Sequence, residues 1–331
     1  MSEPRRIDVH THFLSLPFIK HLQGRSSLPR TVLDGGVYVV DCAPGWRLPT
    51  VPNIVDMEVK LADTDAMGVD ISVLSHGIPG PEVLPGEEAD DWASRINDDL
   101  ARIIEAYPGR FLGFGNIGFG SPERSIREAQ RCVNELGFRG IQLFSNVNNR
   151  TLDQPEFLPV YEAIAELEVP LNMHPATPMN LNGLDNSSLI VPLGFLYDTS
   201  LNTIRLIQSG IFDKAPELKL IVPHIGGIVP YLYGRIDTYN QHTLQFTDRP
   251  PLARPMHEYL DQLYIDTVCY HPRALEYCLA MFGSERILYG TDHPFGNYRL
   301  AADIVEQSNC SAADRDRLYH GNALRLLKIA A

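Results

Sequence analysis

Short apolar runs with strand character recur along the 331-residue chain, and segments with helical spacing separate them. In the first run, IDVHTHF at residues 7–13, apolar residues alternate with His10 and His12, so both imidazoles share one face of a strand. Burying them without partners would cost about 1–3 kcal/mol each, which indicates that something binds them. The eight runs cover residues 5–13, 68–76, 110–119, 138–145, 169–175, 218–227, 263–270 and 286–296.

The segments between these runs place apolar residues three or four positions apart, as amphipathic helices do. Residues 90–107 show this spacing most clearly and end at Pro108 and Gly109, which stop a helix. Segments 121–136 and 156–168 have the same spacing. Because strand and helix alternate eight times, the pattern predicts an α/β fold, a (β/α)8 TIM barrel. A doubly wound parallel sheet is the alternative.

Residues 14–54 form an insertion between the first predicted strand and the first predicted helix, at 55–67. The insertion is rich in glycine and proline and contains the run VYVVDC, which predicts a small hairpin or lid near the barrel mouth. No linker or low-complexity tract marks a domain boundary. We therefore expect residues 1–331 to form one domain that carries this insertion.

Composition narrows the possible partners and the location of the protein. The net charge of -13 argues against a nucleic-acid or anionic-membrane partner, because both need a basic face. Local arginines could still bind an anionic substrate. The five cysteines are scattered, as is typical of a reducing compartment. Without a signal-peptide pattern or a long apolar run, the sequence predicts a cytoplasmic protein with no membrane span.

Several predicted strands end in polar residues that suit metal chemistry. His10 and His12 end the first strand, His174 the fifth, His224 the sixth and Asp292 the eighth. Catalytic groups of such barrels gather at the carboxyl ends of the strands, so these side chains should meet. Imidazoles and a carboxylate suit a divalent transition metal, most simply zinc, with manganese as an alternative. The fourth strand ends without the lysine or glutamate that could bridge two ions, which predicts one metal.

At these residues the chain resembles the amidohydrolase superfamily, and more narrowly the decarboxylases typified by aminocarboxymuconate-semialdehyde decarboxylase. The motifs that carry the resemblance are DVHTH at 8–12, MHP around His174, HIGG at 224–227 and GTDHPFG at 290–296. Together they span nearly the whole chain. The resemblance implies that a metal-bound water is activated by His224. It also implies the metal ligands His10, His12, His174 and Asp292.

The resemblance extends to two arginines. It implies that Arg47, in GWRLP, binds a substrate carboxylate, and that Arg235, in LYGRID, reaches the site of a neighbouring subunit in a homodimer. Arginine suits both tasks because its planar fork binds a carboxylate through two hydrogen bonds. An ordinary surface or helix-capping role is the alternative for each residue.

Three further residues are candidates for the substrate pocket. His76 ends the second predicted strand and could line the pocket, although a structural role is the alternative. Trp46 and Phe295 could stack on a planar ring, with core or lid packing as the alternative. His293, next to Asp292, is expected to brace its loop.

The resemblance implies a metal-dependent, non-oxidative decarboxylase of an aromatic or unsaturated carboxylic acid, with His224 and Asp292 as catalytic groups. A hydrolase of a lactone, ester or amide would use the same metal and base, and so would a hydratase. Only the arginines bear on this choice, because a neutral lactone needs no carboxylate clamp. A non-catalytic binding protein is disfavoured, because all five residues of the cluster are present.

Overall fold

Residues 6–184, 188–243, 246 and 252–330 are described by the computed structural model. Eight parallel strands form a nearly closed barrel with helices between them, which confirms the predicted (β/α)8 barrel and makes the doubly wound alternative wrong. Strands β1 and β5–β11 form the barrel in that order, and β2–β4 form a separate sheet. The strands are β1 (Ile7–Phe13), β2 (Arg30–Asp34), β3 (Val37–Ala43), β4 (Trp46–Pro49), β5 (Ile71–His76), β6 (Phe111–Asn116), β7 (Gly140–Phe144), β8 (Leu171–His174), β9 (Leu220–Val222), β10 (Leu263–Asp266) and β11 (Ile287–Leu288).

The helices follow the barrel strands, and those predicted from spacing are confirmed. The predicted helices at 55–67, 90–107, 121–136 and 156–168 correspond to α3, α4, α5 and α6 of the following series. The helices are α1 (Leu16–His21), α2 (Pro52–Val55), α3 (Met57–Ala66), α4 (Gly86–Ala106), α5 (Pro122–Asn134), α6 (Leu158–Glu166), α7 (Leu196–Gln208), α8 (Ile211–Lys214), α9 (Pro223–Gly226), α10 (Val229–Thr243), α11 (Pro272–Phe282), α12 (Ala301–Gln307), α13 (Ala312–Asp316) and α14 (Asn322–Leu326).

Local sequence explains where these helices begin and what they bury. Helix α4 packs Trp92, Ile96 and Leu100 into the core, as its spacing requires. Helix α5 begins after Ser121, whose hydroxyl accepts a hydrogen bond from the backbone N–H of Arg124 at 3.3 Å. Such a cap satisfies one of the free N–H groups at the helix start. None of the described helices is both long enough and apolar enough to cross a membrane.

The barrel is closed by the loop that follows β11 rather than by β11 alone, which has only two residues. His293 pairs with Thr11 in a parallel bridge, and its carbonyl accepts a hydrogen bond from the N–H of His12 at 2.8 Å. The N–H of Asp292 donates to the carbonyl of His10, also at 2.8 Å. We call this junction between β1 and residues 291–293 the seam.

The insertion at 14–54 contains α1, α2 and an antiparallel sheet of β2, β3 and β4, so the expected hairpin is a three-stranded sheet. The ring of Trp46 lies 5.4 Å from the ring of Phe195, centroid to centroid. The same apolar cluster includes Ala43 and Phe144. Because Phe144 ends β7, this part of the insertion lies at the carboxyl end of the barrel strands.

The opposite end of the barrel is filled by apolar side chains and covered by the last helix. Alternate residues of several strands point into this cluster, and α14 packs against it. The side chains of this cluster are Ile7, Val9, Val73, Phe114, Ile221, Leu288, Ala323 and Leu327.

Glu82 is a carboxylic acid buried in the loop after β5, with only 2% of its surface exposed. One of its oxygens accepts a hydrogen bond from the N–H of Gly80 at 3.3 Å, and the other has no partner among the described residues. Burial raises the pKa of Glu82 from 4.5 to about 8, against the opposing charge of Arg25. Glu82 is therefore neutral near pH 7.

Replacing Glu82 by glutamine should stabilise the protein at alkaline pH. Between pH 4.5 and about 8 the folded state binds more protons at Glu82 than the unfolded state does. The stability of the wild type should therefore fall with rising pH by up to about 1.4 kcal/mol per pH unit in this window. Urea unfolding at pH 5 and pH 8 should show an advantage of Glu82→Gln that grows with pH. A constant difference would contradict this prediction.

Candidate metal centre

Four of the predicted site residues meet at the carboxyl end of the barrel. His10, His12, His174 and Asp292 each offer a ligand atom, and these atoms all lie within 4.8 Å of one another. All four residues are buried. β1 provides two of the histidines, β8 provides the third, and the seam provides the aspartate. The geometry can hold a single divalent cation through three nitrogens and one carboxylate.

His10 has one ring nitrogen bound and one free. Its Nδ1 lies 2.6 Å from Oδ2 of Asp266, at the end of β10. Its Nε2 is buried and has no hydrogen-bond partner among the described residues, although it lies 3.3 Å from a carboxylate oxygen of Asp292. A buried nitrogen without a partner, aimed at a carboxylate, fits a metal ligand.

The other two histidines are oriented in the same way. Nδ1 of His12 lies 3.0 Å from the hydroxyl of Ser75, and Nδ1–H of His174 donates to the carbonyl of Pro175 at 2.8 Å. Because Nδ1 is engaged in each ring, Nε2 is left to face the cluster. Outer partners of this kind fix the tautomer of metal-binding histidines.

The ionisation of the cluster differs among its three histidines. Burial lowers the pKa of His12 to about 4 and holds the pKa of His174 well below its usual range, so both keep a lone pair at neutral pH. Burial also acts to lower the pKa of His10, but Asp292 and Asp266 outweigh it and raise that pKa to about 9. A cation bound at His10 therefore has to displace a proton.

Asp292 connects the cluster to His224. One of its oxygens lies 3.2 Å from Nε2 of His12, and the other lies 3.7 Å from Nε2 of His224. Its burial acts to raise its pKa, but the imidazoles of His10, His12 and His224 outweigh burial and hold the pKa of Asp292 well below its usual range. Its backbone has a left-handed φ of 62°, which is strained for a residue with a side chain.

His224 lies beside the four ligands on the turn after β9. Both His224 and Ile225 have left-handed backbones, with φ of 54° and 57°. Asp266 holds this turn, since its two oxygens accept hydrogen bonds from the N–H groups of His224 at 3.1 Å and Ile225 at 2.9 Å. Nδ1 of His224 is buried without a partner among the described residues. His224 therefore lies beside the ligand cluster with its Nε2 directed toward Asp292.

Asp266 is a residue that the sequence analysis missed. The same buried carboxylate orients the ring of His10 and the backbone of His224. The signal was present, because Asp266 lies within the seventh predicted run, LYIDTVCY, close to the carboxyl end of its strand.

Of the pocket candidates, Phe295 contacts the cluster and His76 does not. The ring of Phe295 lies 5.7 Å from the ring of His12, centroid to centroid. The Nδ1–H of His76 donates to the carbonyl of Gly77 at 2.7 Å, and its Nε2 accepts from the N–H of Ser15 at 3.1 Å. With both nitrogens engaged and the ring fully buried, the structure favours the structural alternative, and a substrate contact of His76 stays a prediction.

The two predicted arginines have partners outside the cluster. Arg47 is half exposed, and its Nε donates to a carboxylate oxygen of Asp41 at 2.8 Å. Arg235 is exposed on α10 and stacks over the ring of Tyr239 at 4.8 Å. Within the described ranges neither guanidinium forms an ion pair with Asp292. Their substrate contacts stay predictions.

Replacing Asp266 by asparagine should weaken cation binding by about 10–100-fold, because the outer partner of His10 loses its charge. The affinity for Mn²⁺ and for Zn²⁺ can be measured by isothermal titration calorimetry. Asp316→Ala, at an exposed carboxylate, serves as the control and should bind as the wild type does. An unchanged affinity of a folded Asp266→Asn protein would contradict the orienting role.

Comparison with known proteins agrees with this site. The chain is 32% identical to gamma-resorcylate decarboxylase from Polaromonas sp. strain JS666 over 321 residues, covering 93% of this chain and 98% of the relative. It is 29% identical to 2-amino-3-carboxymuconate-6-semialdehyde decarboxylase from Dictyostelium discoideum over 344 residues, covering 97% and 91%.

A solved structure and a family model extend the comparison. The crystal structure of dihydroxybenzoic acid decarboxylase from Polaromonas sp. JS666, with bound manganese and the inhibitor 2-nitroresorcinol, superposes with a TM-score of 0.81 at 28% identity, covering 98% of this chain and 97% of that one. The family model described as Amidohydrolase matches residues 7–329. The chain therefore belongs to the amidohydrolase family.

Proposed function

We propose that this protein is a metal-dependent, non-oxidative decarboxylase of an aromatic or unsaturated carboxylic acid. The observation that carries the proposal is the convergence of three histidines and Asp292 beside His224, whose Nδ1 has no partner among the described residues. The names of the relatives support the reaction class, because they are decarboxylases of such acids.

One divalent cation would be held by His10, His12, His174 and Asp292. When bound, the cation acts as a Lewis acid that lowers the pKa of a coordinated water and stabilises negative charge on the substrate. Zinc is the expectation from the ligand types, and manganese has the support of the Polaromonas structure. We therefore expect the four ligands to bind either Zn²⁺ or Mn²⁺.

His224 transfers the proton in this proposal. The bond between the substrate carbon and its carboxyl group breaks, CO₂ leaves, and the electron pair stays on the carbon within a conjugated system. A proton from the imidazole of His224 then forms the new C–H bond. In this proposal Asp292 attracts the protonated ring of His224, whose Nε2 lies within ion-pair distance of its second oxygen, at 3.7 Å.

The apolar walls of the site support a planar substrate. Phe295 lies against His12, and the ring of Phe144 lies 6.1 Å from the ring of His174. Trp46 belongs to the same apolar cluster as Phe144 and brings the insertion over it. In the proposal, residues 14–54 act as a lid that excludes water, and Trp46 and Phe295 contact the ring of the substrate.

A homodimer is part of the proposal. Tyr231, Arg235 and Tyr239 are spaced by four residues on α10, so they form one stripe, and the two tyrosines are 78% and 53% exposed. The stripe fits an interface in which Arg235 reaches the site of the partner. Further exposed apolar side chains lie just before and at the start of α7, which contacts α10: Val191, Leu193 and Tyr197.

A cytoplasmic location is also part of the proposal. All five cysteines are free, and three of them are buried. Free thiols are typical of proteins in reducing compartments, where disulfides do not persist.

His224→Ala should keep its cation but lose decarboxylation by about 10²–10⁴-fold, because it lacks the proton-transferring ring. The assay measures CO₂ from a panel of hydroxybenzoates and muconate-type acids, with metal content measured alongside. His257→Ala, at an exposed histidine, is the matched control. Turnover of a lactone without CO₂ would indicate a hydrolase, and hydration of an unsaturated acid without CO₂ would indicate a hydratase.

Subunit mixing tests whether Arg235 acts across a dimer. Arg235→Ala and His224→Ala proteins should each be nearly inactive. Refolded together, hybrid dimers should regain one complete site, because one subunit supplies His224 and the other supplies Arg235. If the arginine acts within its own chain, or if the protein is a monomer by light scattering, mixing should restore no activity.

A further inference from the structure

Lys60 is a fully buried lysine on α3, close to the metal centre but outside it. Its Nζ lies 2.7 Å from Nδ1 of His293 and 3.2 Å from the hydroxyl of Thr11. In the described part of the chain, no carboxylate lies within ion-pair distance of Nζ. Burying an amine away from a countercharge is unfavourable, so an apolar residue would suit a purely structural position better.

Hydrogen bonds connect Lys60 through the ring of His293 to Asp63. The carboxylate of Asp63 only accepts, so Nε2 of His293 carries a proton, and Nδ1 of the neutral ring accepts from Nζ of Lys60. Nε2 lies 3.1 Å from a carboxylate oxygen of Asp63 and donates to it. Burial lowers the pKa of Lys60 to about 7, and the amine can donate to both acceptors in either protonation state.

These contacts fall on the seam that carries three of the four proposed ligands. Thr11 lies between His10 and His12, and His293 follows Asp292. The hydroxyl of Thr11 also donates to the carbonyl of His293 at 3.1 Å. Lys60 therefore connects the two sides of the seam through one amine.

The loop at Asp292 needs such support. Its left-handed backbone is strained, and strained residues persist only where their surroundings fix them. Asp8 holds the residue before it, since its carboxylate accepts a hydrogen bond from the hydroxyl of Thr291 at 2.6 Å. Lys60 holds the residue after it through the ring of His293. The two contacts fix the loop on both sides of Asp292.

We propose that Lys60 is a positioning residue of the metal centre, which holds the Asp292 loop against β1 so that Asp292 meets the histidines. The inference rests on the proposed metal site. It assigns Lys60 no contact with substrate or cation, and it predicts an effect on both cation affinity and turnover.

The test is Lys60→Met, which keeps the length of the side chain and removes the donor. Its dissociation constant for Mn²⁺ should rise by about 10–100-fold, the range for loss of an outer-shell partner. At saturating Mn²⁺, kcat should fall while KM changes less than threefold, because the substrate walls are untouched. Circular dichroism should show that the metal-free variant is folded, so that a weaker affinity reports on the site and not on unfolding. Lys214→Met, at an exposed lysine, is the control.

Two further variants keep the test decisive. Lys60→Gln restores a donor of shorter reach and should recover part of the Mn²⁺ affinity. Asp63→Asn weakens the hydrogen bond that His293 donates to residue 63. Because Asp63 is partly exposed, this variant should fold even if Lys60→Met does not. It should also bind Mn²⁺ more weakly than the wild type.

The outcomes separate this inference from the proposed function. If the wild type and Lys214→Met bind Mn²⁺ and Lys60→Met binds it within twofold, Lys60 has no positioning role while the metal centre stands. If Lys60→Met does not fold and Asp63→Asn binds as the wild type does, the inference is also overturned. If the wild type binds neither Mn²⁺ nor Zn²⁺, the metal centre itself is wrong.

Discussion

The hydrogen bonds that close the barrel between β1 and residues 291–293 are the constraint on which the site depends. Strand β11 has two residues, so backbone pairing beyond it completes the ring of strands. The same pairing brings Asp292 to His10 and His12, although 280 residues separate it from His12. The residues that close the fold also form the site, so a loosening of the seam would move Asp292 away from His10 and His12.

Each of the two buried carboxylates near this seam interacts with several partners. Asp292 faces three imidazoles, and Asp266 faces one imidazole and three backbone N–H groups. Buried carboxylates are tolerated when their oxygens are satisfied in this way. Burial acts to lower the pKa of both rings. Asp292 and Asp266 together outweigh it at His10, whose pKa is raised, whereas at His12 only Asp292 opposes it and the pKa is lowered. The ligand atoms of the cluster lie close together, and the lowered pKa values of His12 and His174 leave both rings unprotonated, as metal ligands must be.

The sequence was sufficient for the fold and for the residues that converge, because both follow from local rules. Strand–helix alternation fixes the barrel, and the barrel brings the carboxyl ends of its strands together. The role of His76 could not be predicted, because it depends on which backbone groups of Gly77 and Ser15 meet its ring. The burial of Lys60 could not be predicted either. The apolar residues around it show only a weak amphipathic pattern, and a lysine in such a helix is normally expected on the surface. The direction of Arg47 depends on Asp41, which the strand pairing of the insertion places beside it.

Asp266 has a consequence for how the centre could respond to different ions. One carboxylate is common to the ring of His10 and to the strained turn of His224, so the two cannot move independently. In the proposed centre, an ion with longer coordination bonds would shift His10, and Asp266 would pass that shift to the backbone of His224. In such a centre, the replacement of one metal by another would change the position of His224 without any change of sequence.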